Sequence, residues 1–157
     1  MIRRLALLLA LVIAAPAAAQ STFDLGRIEV DPDAEVEVTA DALDISQEDG
    51  AAVFSGNVTV TQGEMAITAG AVRVTYSEES GEITALSLSG GVTFVTPEEA
   101  AEADAAEYDL AAQRLTLTGG VLIQQGPSAI GAESAVIDLA AGTARLEGRV
   151  RTVIGGD

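Results

Sequence analysis

The stretch Leu115-Thr116-Leu117-Thr118-Gly119-Gly120-Val121-Leu122-Ile123 alternates, except at Leu122, between apolar side chains and polar or small ones. Every second position counted from Leu115 is leucine, valine or isoleucine, and only Gly119 interrupts that series. A period of two residues is typical of a β-strand that buries one face and exposes the other. Glycine weakens a strand unless the backbone bulges or closely approaches another backbone there. The stretch therefore predicts a strand with one of these two features at Gly119.

The same pattern occurs four times along the chain. Its glycine-valine blocks begin at Phe54, Leu88, Leu117 and Leu146, spaced by 34, 29 and 29 residues. A second block, Thr39-Ala40-Asp41 with counterparts at 68–70, 102–104 and 131–133, is spaced by 29, 34 and 29 residues. Because two separate blocks share one set of spacings, we infer an internal repeat.

The connections between the predicted strands are short, as at 62–63, 111–113, 125–128 and 140–142. Links of about two to five residues join antiparallel neighbours, whereas parallel strands need a crossover of about a dozen residues or more. We therefore predict an all-β, antiparallel chain of roughly a dozen short strands.

One local signal favours a helix. Thr96-Pro97-Glu98-Glu99 offers an N-cap, a proline at the first helical position and a capping-box glutamate. The repeat register instead places a strand at 102–104. We give the repeat more weight and expect about one helical turn from Pro97 to Ala101.

The N-terminus has the three parts of a secretory signal peptide. A basic head at 1–4 precedes an apolar run at 5–15, and Ala17-Ala18-Ala19 follows Pro16. The apolar run is too short for a membrane-spanning helix, which needs about 20 residues. We predict a signal peptide at 1–19, a mobile N-terminal arm at 20–35 and one β-domain at 36–154.

Composition excludes several classes of function. The 157 residues include no cysteine and no histidine, which excludes thiolate and imidazole metal sites and histidine-based catalytic triads. The formal net charge is −16, and all eight basic residues are arginine. A chain this acidic lacks the basic face that nucleic acid requires. We expect no cofactor and no metal.

Several segments together resemble the OstA-like LptA family of periplasmic lipopolysaccharide transport proteins. They are Ala40-Asp41-Ala42-Leu43, the runs at 54–63 and 67–69, and the runs at 106–110 and 117–125. The resemblance extends from about Val36 to Val153. It implies a periplasmic location, and the predicted cleavable signal peptide fits the soluble bridging component better than the membrane-anchored LptC.

The resemblance implies two antiparallel sheets that face each other in a twisted β-jellyroll with an open hydrophobic groove. It also implies the ligand, lipopolysaccharide, whose lipid A acyl chains would lie between the sheets. The implied partners are LptC-like inner-membrane and LptD-like outer-membrane modules, together with other copies of this chain joined head to tail. All would pair through edge strands.

Lipid contact is expected on inward-facing residues close to the matching blocks. The resemblance points to the first strand, to the end of the second repeat and to a Tyr-x-Leu pair, and strand parity adds the others. The predicted lipid-binding residues are Val36, Val38, Val58, Val60, Phe94, Tyr108, Leu110, Leu117, Val121 and Ile123. For the aliphatic members, ordinary core packing is an equal alternative.

Two other functions remain open from the residues alone. A glycosidase would need paired carboxylates, and acidic residues do cluster at 98–104 and 78–82. We expect those carboxylates to be solvated, because they fall in turns and on polar faces. A structural protein with a parallel β-solenoid is the second alternative, although 29-residue units with tight turns favour hairpins. Arg145, Arg149 and Arg151 near the C-terminus could meet a phosphate or an acidic partner edge, or could simply be solvated.

Overall fold

The computed structural model describes residues 22–24 and 33–155, so the predicted signal peptide lies outside the described residues. The described residues form thirteen strands, all paired antiparallel, and no helix. The antiparallel all-β prediction is confirmed, and the parallel solenoid is excluded. The strands are β1 (Thr22–Asp24), β2 (Val36–Thr39), β3 (Ala42–Ser46), β4 (Ala51–Gln62), β5 (Met65–Tyr76), β6 (Ile83–Ser89), β7 (Val92–Val95), β8 (Glu99–Ala103), β9 (Ala105–Asp109), β10 (Arg114–Gln125), β11 (Ser128–Asp138), β12 (Thr143–Glu147) and β13 (Arg151–Val153).

The strand pairings divide the molecule into two half-sheets. The long strands β4, β5, β10 and β11 each pair with one set of short strands along one half and with another set along the other half. Half-sheet 1 runs in the order β2, β4, β5, β7, β8, β10, β11, β13. Half-sheet 2 runs in the order β3, β4, β5, β6, β9, β10, β11, β12, β1.

The chain passes from one half-sheet to the other at a continuous row of corners. From one end of the molecule to the other, the row comprises Asp41, Gly56-Asn57, Gly70, Gly90-Gly91, Asp104, Gly119-Gly120, Glu133 and Gly148-Arg149. One-residue and two-residue corners alternate, and the ladder register shifts between Ser55 and Val58 and again between Thr118 and Val121. These shifts are β-bulges, which bend a strand and increase its twist.

The repeated glycine-valine blocks form the two-residue corners, and the blocks that begin at Thr39-Ala40-Asp41 form the one-residue corners. Each one-residue corner packs on a neighbouring two-residue corner. Gly56, Gly90, Gly119 and Gly148 have φ between 78° and 80°, a conformation that side chains rarely tolerate. The backbone N–H of Asp41 donates to the Gly56 carbonyl oxygen at 2.9 Å, and that of Asp104 donates to the Gly119 carbonyl oxygen at 2.8 Å. The backbones of Gly70 and Gly90 lie in van der Waals contact. The sequence expectation of a bulge or a close approach at the repeated glycine is confirmed.

Side chains also tie neighbouring corners together. The Asn57 amide Nδ2 donates to Asp41 Oδ2 at 2.8 Å, and Arg149 Nε lies 3.2 Å from Glu133 Oε1. Both pairs are exposed, so each contributes little to stability by charge alone. Their effect is to hold the acidic side chain beside the glycine of the next corner.

A single hydrophobic core lies between the half-sheets. Val60, Ile67, Phe94 and Ile123 of half-sheet 1 belong to the same buried cluster as residues of half-sheet 2, among them Val72, Leu86, Leu117 and Ile137. The two half-sheets therefore face each other and close along the corner row, as a jellyroll does. The predicted fold class is confirmed.

The helical turn expected at 97–101 is wrong, because β8 begins at Glu99 and pairs with both β7 and β10. The capping residue Thr96 still accepts a hydrogen bond from the Glu99 backbone N–H, 3.1 Å from its Oγ1, but it does so within a hairpin. In the arm expected at 20–35, Thr22–Asp24 forms strand β1, which pairs with β12.

No helix among the residues that the structure describes could cross a membrane.

Candidate functional site

The side of the molecule opposite the corner row carries the strand-to-strand turns and opens into a cleft. The cleft has a volume of about 980 Å³. Val36 contributes from half-sheet 1, and Tyr76, Ile83 and Leu110 contribute from half-sheet 2, so the cleft lies between the two walls. Its full lining is Glu35, Val36, Tyr76, Gly81, Glu82, Ile83, Thr84, Leu110 and Ala111.

The apolar cleft residues pack on the core while remaining accessible. Val36, Tyr76, Ile83 and Leu110 are all partly buried and in contact with the buried cluster. Each stands at the end of a strand or just beyond it, where the two half-sheets diverge. The cleft is thus the accessible continuation of the hydrophobic core.

The structure places the predicted lipid-binding residues in two groups. Val36 and Leu110 line the cleft. Val38 is half-buried one step further in, on the same face of β2 as Val36. The remaining seven lie in the closed core with 5% exposure or less: Val58, Val60, Phe94, Tyr108, Leu117, Val121 and Ile123.

Sequence reasoning missed Tyr76 and Ile83, which the structure brings together with Val36 and Leu110. Tyr76 continues the inward parity of β5, because it follows Val74 at an interval of two residues. It pairs with Ile83 on β6, where a register shift between Thr75 and Tyr76 breaks the parity set by Leu86 and Leu88. The parity of Tyr76 was readable in the sequence, but the register shift that turns Ile83 inward was not. Parity also could not show that these positions lie where the half-sheets open.

Polar side chains interrupt the inner face of half-sheet 1 near its turns. Gln62, Glu99 and Gln125 each occupy an inward position at the end or start of a strand. Gln125 Nε2 donates to Glu99 Oε1 at 2.9 Å. Gln62 is 6% exposed and its Nε2 contacts the Ala34 carbonyl oxygen at 3.4 Å, while its Oε1 has no hydrogen-bond partner. The half-sheet 1 wall therefore turns from apolar to polar as it approaches the open side.

Glu99 departs from the expectation that every carboxylate at 98–104 is solvated. It is 7% exposed, and burial, with a smaller effect of the neighbouring Glu98 charge, raises its pKa to about 7. The physical cause is desolvation, which disfavours the ionised form. In the sequence, Glu99 lies two residues after Pro97, where an exposed turn is expected. The pairing of β8 with β10 instead turns its side chain towards the core.

Glu99 should make the protein less stable as the pH rises. The folded chain keeps the Glu99 proton up to about pH 7, whereas the same carboxyl in the unfolded chain loses its proton near pH 4.5. The folded state therefore binds more protons between these values, and the free energy of unfolding falls as pH rises through them. Glu99→Gln should abolish this loss, with a gain of about 3 kcal/mol over wild type at pH 8 and none at pH 4.

Urea unfolding of both proteins at pH 4, 6 and 8 measures this effect. The matched control is Glu98→Gln, which removes the same charge from the exposed neighbouring residue and should change stability little. An equal pH dependence in wild type and Glu99→Gln would contradict the burial of this carboxyl.

A family model described as the LptA/(LptD N-terminal domain) LPS transport protein family matches residues 37–152 of the chain. The match includes every strand from β3 to β12, and therefore the whole corner row and most of the cleft. Leu110, Tyr76 and Ile83 lie inside the matched region, and Val36 lies one residue before it.

Among solved structures, the chain is similar to the crystal structure of LptH from Pseudomonas aeruginosa. Its title calls LptH the LptA-homologous periplasmic component of the conserved lipopolysaccharide transport device. The two superpose with a TM-score of 0.73 at 20% sequence identity, covering 82% of this chain and 100% of LptH. At this identity the likeness shows a common fold. A search of curated proteins finds no match.

Proposed function

The chain belongs to the family of LptA and LptD N-terminal-domain lipopolysaccharide transport proteins, and we propose that it holds the acyl chains of lipopolysaccharide between its half-sheets. We further propose that it bridges inner-membrane and outer-membrane components by adding edge strand to edge strand. The matched family is one of lipopolysaccharide transport proteins and not of enzymes, and we place this chain in the periplasm as part of the proposal. The proposal concerns where the lipid sits and how the chain meets its partners.

The cleft is the observation that carries the proposal. Its apolar residues Val36, Tyr76, Ile83 and Leu110 come from both walls and continue directly into the core. An acyl chain entering there would replace water against these side chains, and each buried CH₂ contributes about 0.8 kcal/mol. The described inner faces consist mostly of aliphatic residues, and aromatic residues make up only 3% of the sequence. Because the residues beyond the cleft form a closed core, a lipid that extends further inward has to push these aliphatic walls apart.

Charge at the cleft favours acyl burial over headgroup binding. The charged residues in the cleft lining are Glu35 and Glu82, both acidic. A carboxylate repels the phosphate groups of lipopolysaccharide at short range. We therefore expect the headgroups to remain outside the cleft or to be bridged to it by divalent cations, with affinity supplied by the acyl chains.

The two ends of the molecule differ in charge, and the arginines near the C-terminus would meet an acidic neighbour in a head-to-tail assembly. Residues 33–64, which include β2 and β3, contain eight acidic residues and no arginine. The opposite end, 128–155, has three acidic residues and three arginines, so its charges balance; the arginines are Arg145 on β12, Arg149 at the last corner and Arg151 on β13. Opposite charges on meeting surfaces steer association and fix its polarity.

A charge placed inside the cleft should abolish lipid binding without unfolding the chain. Val36→Asp adds a carboxylate at a half-buried position of β2 that faces the cleft. An unpaired charge there would have to lose its hydration when an acyl chain binds. We expect lipopolysaccharide affinity to fall about 10-fold or more, with thermal unfolding nearly unchanged.

Thr39→Asp is the matched control, because it adds the same charge to the exposed outer face of the same strand. Binding is measured by titrating each purified protein with fluorescent lipopolysaccharide. Equal loss of binding in both variants, or in neither, would contradict a lipid site in this cleft.

A further inference from the structure

The four outer edges of the half-sheets are not equivalent. In the described part of the chain, β2 and β13 end half-sheet 1 and β3 ends half-sheet 2 with no strand beyond them. The fourth edge, β12, is covered by β1, a segment from the opposite end of the sequence. The register pairs Thr22 with Arg145, Phe23 with Ala144 and Asp24 with Thr143.

We propose that β1 caps the β12 edge of its own chain, and that the β3 strand of a second copy must displace it before half-sheet 2 can continue across the junction. The inference rests on the head-to-tail assembly of the proposed function. It adds that β1 and the incoming β3 strand compete for the same β12 edge. Half-sheet 1 can join its neighbour directly, from β13 to β2. Half-sheet 2 can join only after the exchange.

The length of the cap supports displacement. The β12 edge offers five residues, Thr143–Glu147, and β1 pairs with only three of them. Leu146 and Glu147 lie beyond the cap. The β3 strand also has five residues, Ala42–Ser46, so it matches the whole edge and can form the longer ladder.

The exposed side chains of β3 identify it as the incoming strand. Leu43 and Ile45 pair in register with Phe54 and Ala52, which places them on the inner face, yet they remain 48% and 71% exposed. On β12 the inner-face residues are Ala144 and Leu146, both buried. Joining these two edges would continue the inner apolar wall and cover Leu43 and Ile45.

Charge agrees with the same pairing. Asp44 lies on the outer face of β3, and Arg145 lies on the outer face of β12, where it is ion-paired with Glu147 at 2.8 Å. In half-sheet 1 the outer-face residues at the corresponding ends are Glu37 on β2 and Arg151 on β13. Each half-sheet junction would therefore bring an arginine towards a carboxylate.

The cap also has a physical rationale. An uncovered edge strand is a template for uncontrolled pairing. A strand tethered to the same chain competes at a high effective concentration, so it protects the edge until a better-matched strand arrives. The cap would thus suppress open-ended growth while allowing specific assembly.

A disulfide between the two strands tests the proposal, because the chain has no cysteine of its own. Asp24→Cys with Thr143→Cys places one cysteine on each strand at a directly paired position and leaves Arg145 in place. The protein is purified after export and examined oxidised and reduced by light scattering and native mass spectrometry over a range of concentrations. Thr116→Cys with Val136→Cys, which joins β10 to β11 away from the edges, is the matched control.

We expect the oxidised β1–β12 protein to assemble about 10-fold less readily than its reduced form, and the control pair to assemble equally in both states. In a second variant, Gly-Pro-Gly replaces residues 22–24, and its assembly should exceed that of wild type. Equal assembly of the oxidised and reduced β1–β12 protein would overturn the cap but leave head-to-tail assembly intact. If the reduced protein and the Gly-Pro-Gly variant both stay monomeric at every concentration, the cap and the assembly are both overturned.

Discussion

Replacing Gly119 by alanine should lower the free energy of unfolding by about 3 kcal/mol or more. Gly119 has φ of 79°, and a Cβ built there would lie 2.8 Å from the Cβ of Asp104 and closer still to its carboxylate. The backbone cannot move away easily, because the Asp104 N–H donates to the Gly119 carbonyl oxygen at 2.8 Å. The substitution therefore combines an unfavourable backbone conformation with a steric clash at the centre of the corner row.

Gly120→Ala is the control for the Gly119 substitution. Gly120 also has positive φ, at 55°, but a Cβ there meets nothing within 4 Å. It should cost only about 1 kcal/mol, the backbone effect alone. Adding Asp104→Gly to Gly119→Ala should recover part of the loss, since Gly70 and Gly90 already show a corner with glycine on both sides. Equal urea denaturation midpoints for Gly119→Ala and Gly120→Ala would contradict the packing of acid on glycine.

Val121→Asp should prevent folding or leave a chain unable to bind lipid. Val121 is 2% exposed and belongs to the single core cluster between the half-sheets. A carboxylate there has no cationic partner on the inner faces of the described strands, so its burial costs about 4 kcal/mol or more. That loss is a large part of the stability of a domain of this size.

Thr118→Asp provides the comparison on the same strand. Thr118 is exposed, and it lies on the outer face just before the corner. Circular dichroism and thermal unfolding should show a folded protein close to wild type for Thr118→Asp and an unfolded or strongly destabilised one for Val121→Asp. Normal stability and lipid binding in Val121→Asp would show that the face assignment is wrong.

The period of two residues and the short connections predicted the antiparallel β-fold, and each repeat of 29 or 34 residues contains two crossings of the corner row. Gly119 and its three counterparts could be identified as special from sequence alone, since glycine is costly in a strand without a geometric reason. The sequence could not show that Asp41, Asp104 and Glu133 pack on those glycines. That contact depends on the pairing of strands that are distant in sequence, such as β8 with β10.

The candidate site was predicted only in part, for a related reason. Strand parity separates inward from outward residues, and it placed Val58 and Val121 correctly on the inner face. Parity does not say how far the two half-sheets diverge along a strand, so it could not separate the closed core from the cleft at Tyr76. It also missed Ile83, which a register shift in the β5–β6 pairing turns inward. Glu99 was misjudged because the local Thr-Pro-Glu-Glu signal competes with strand pairing, and the pairing prevails.

Native mass spectrometry of residues 20–157, with and without lipopolysaccharide, tests the central claim most directly. We predict an added mass equal to one lipopolysaccharide molecule per chain, together with oligomers that follow protein concentration. Delipidated polysaccharide, which lacks the acyl chains, should add no mass. An unliganded chain at every lipopolysaccharide concentration, or equal binding of the delipidated polysaccharide, would contradict acyl-chain binding between the half-sheets.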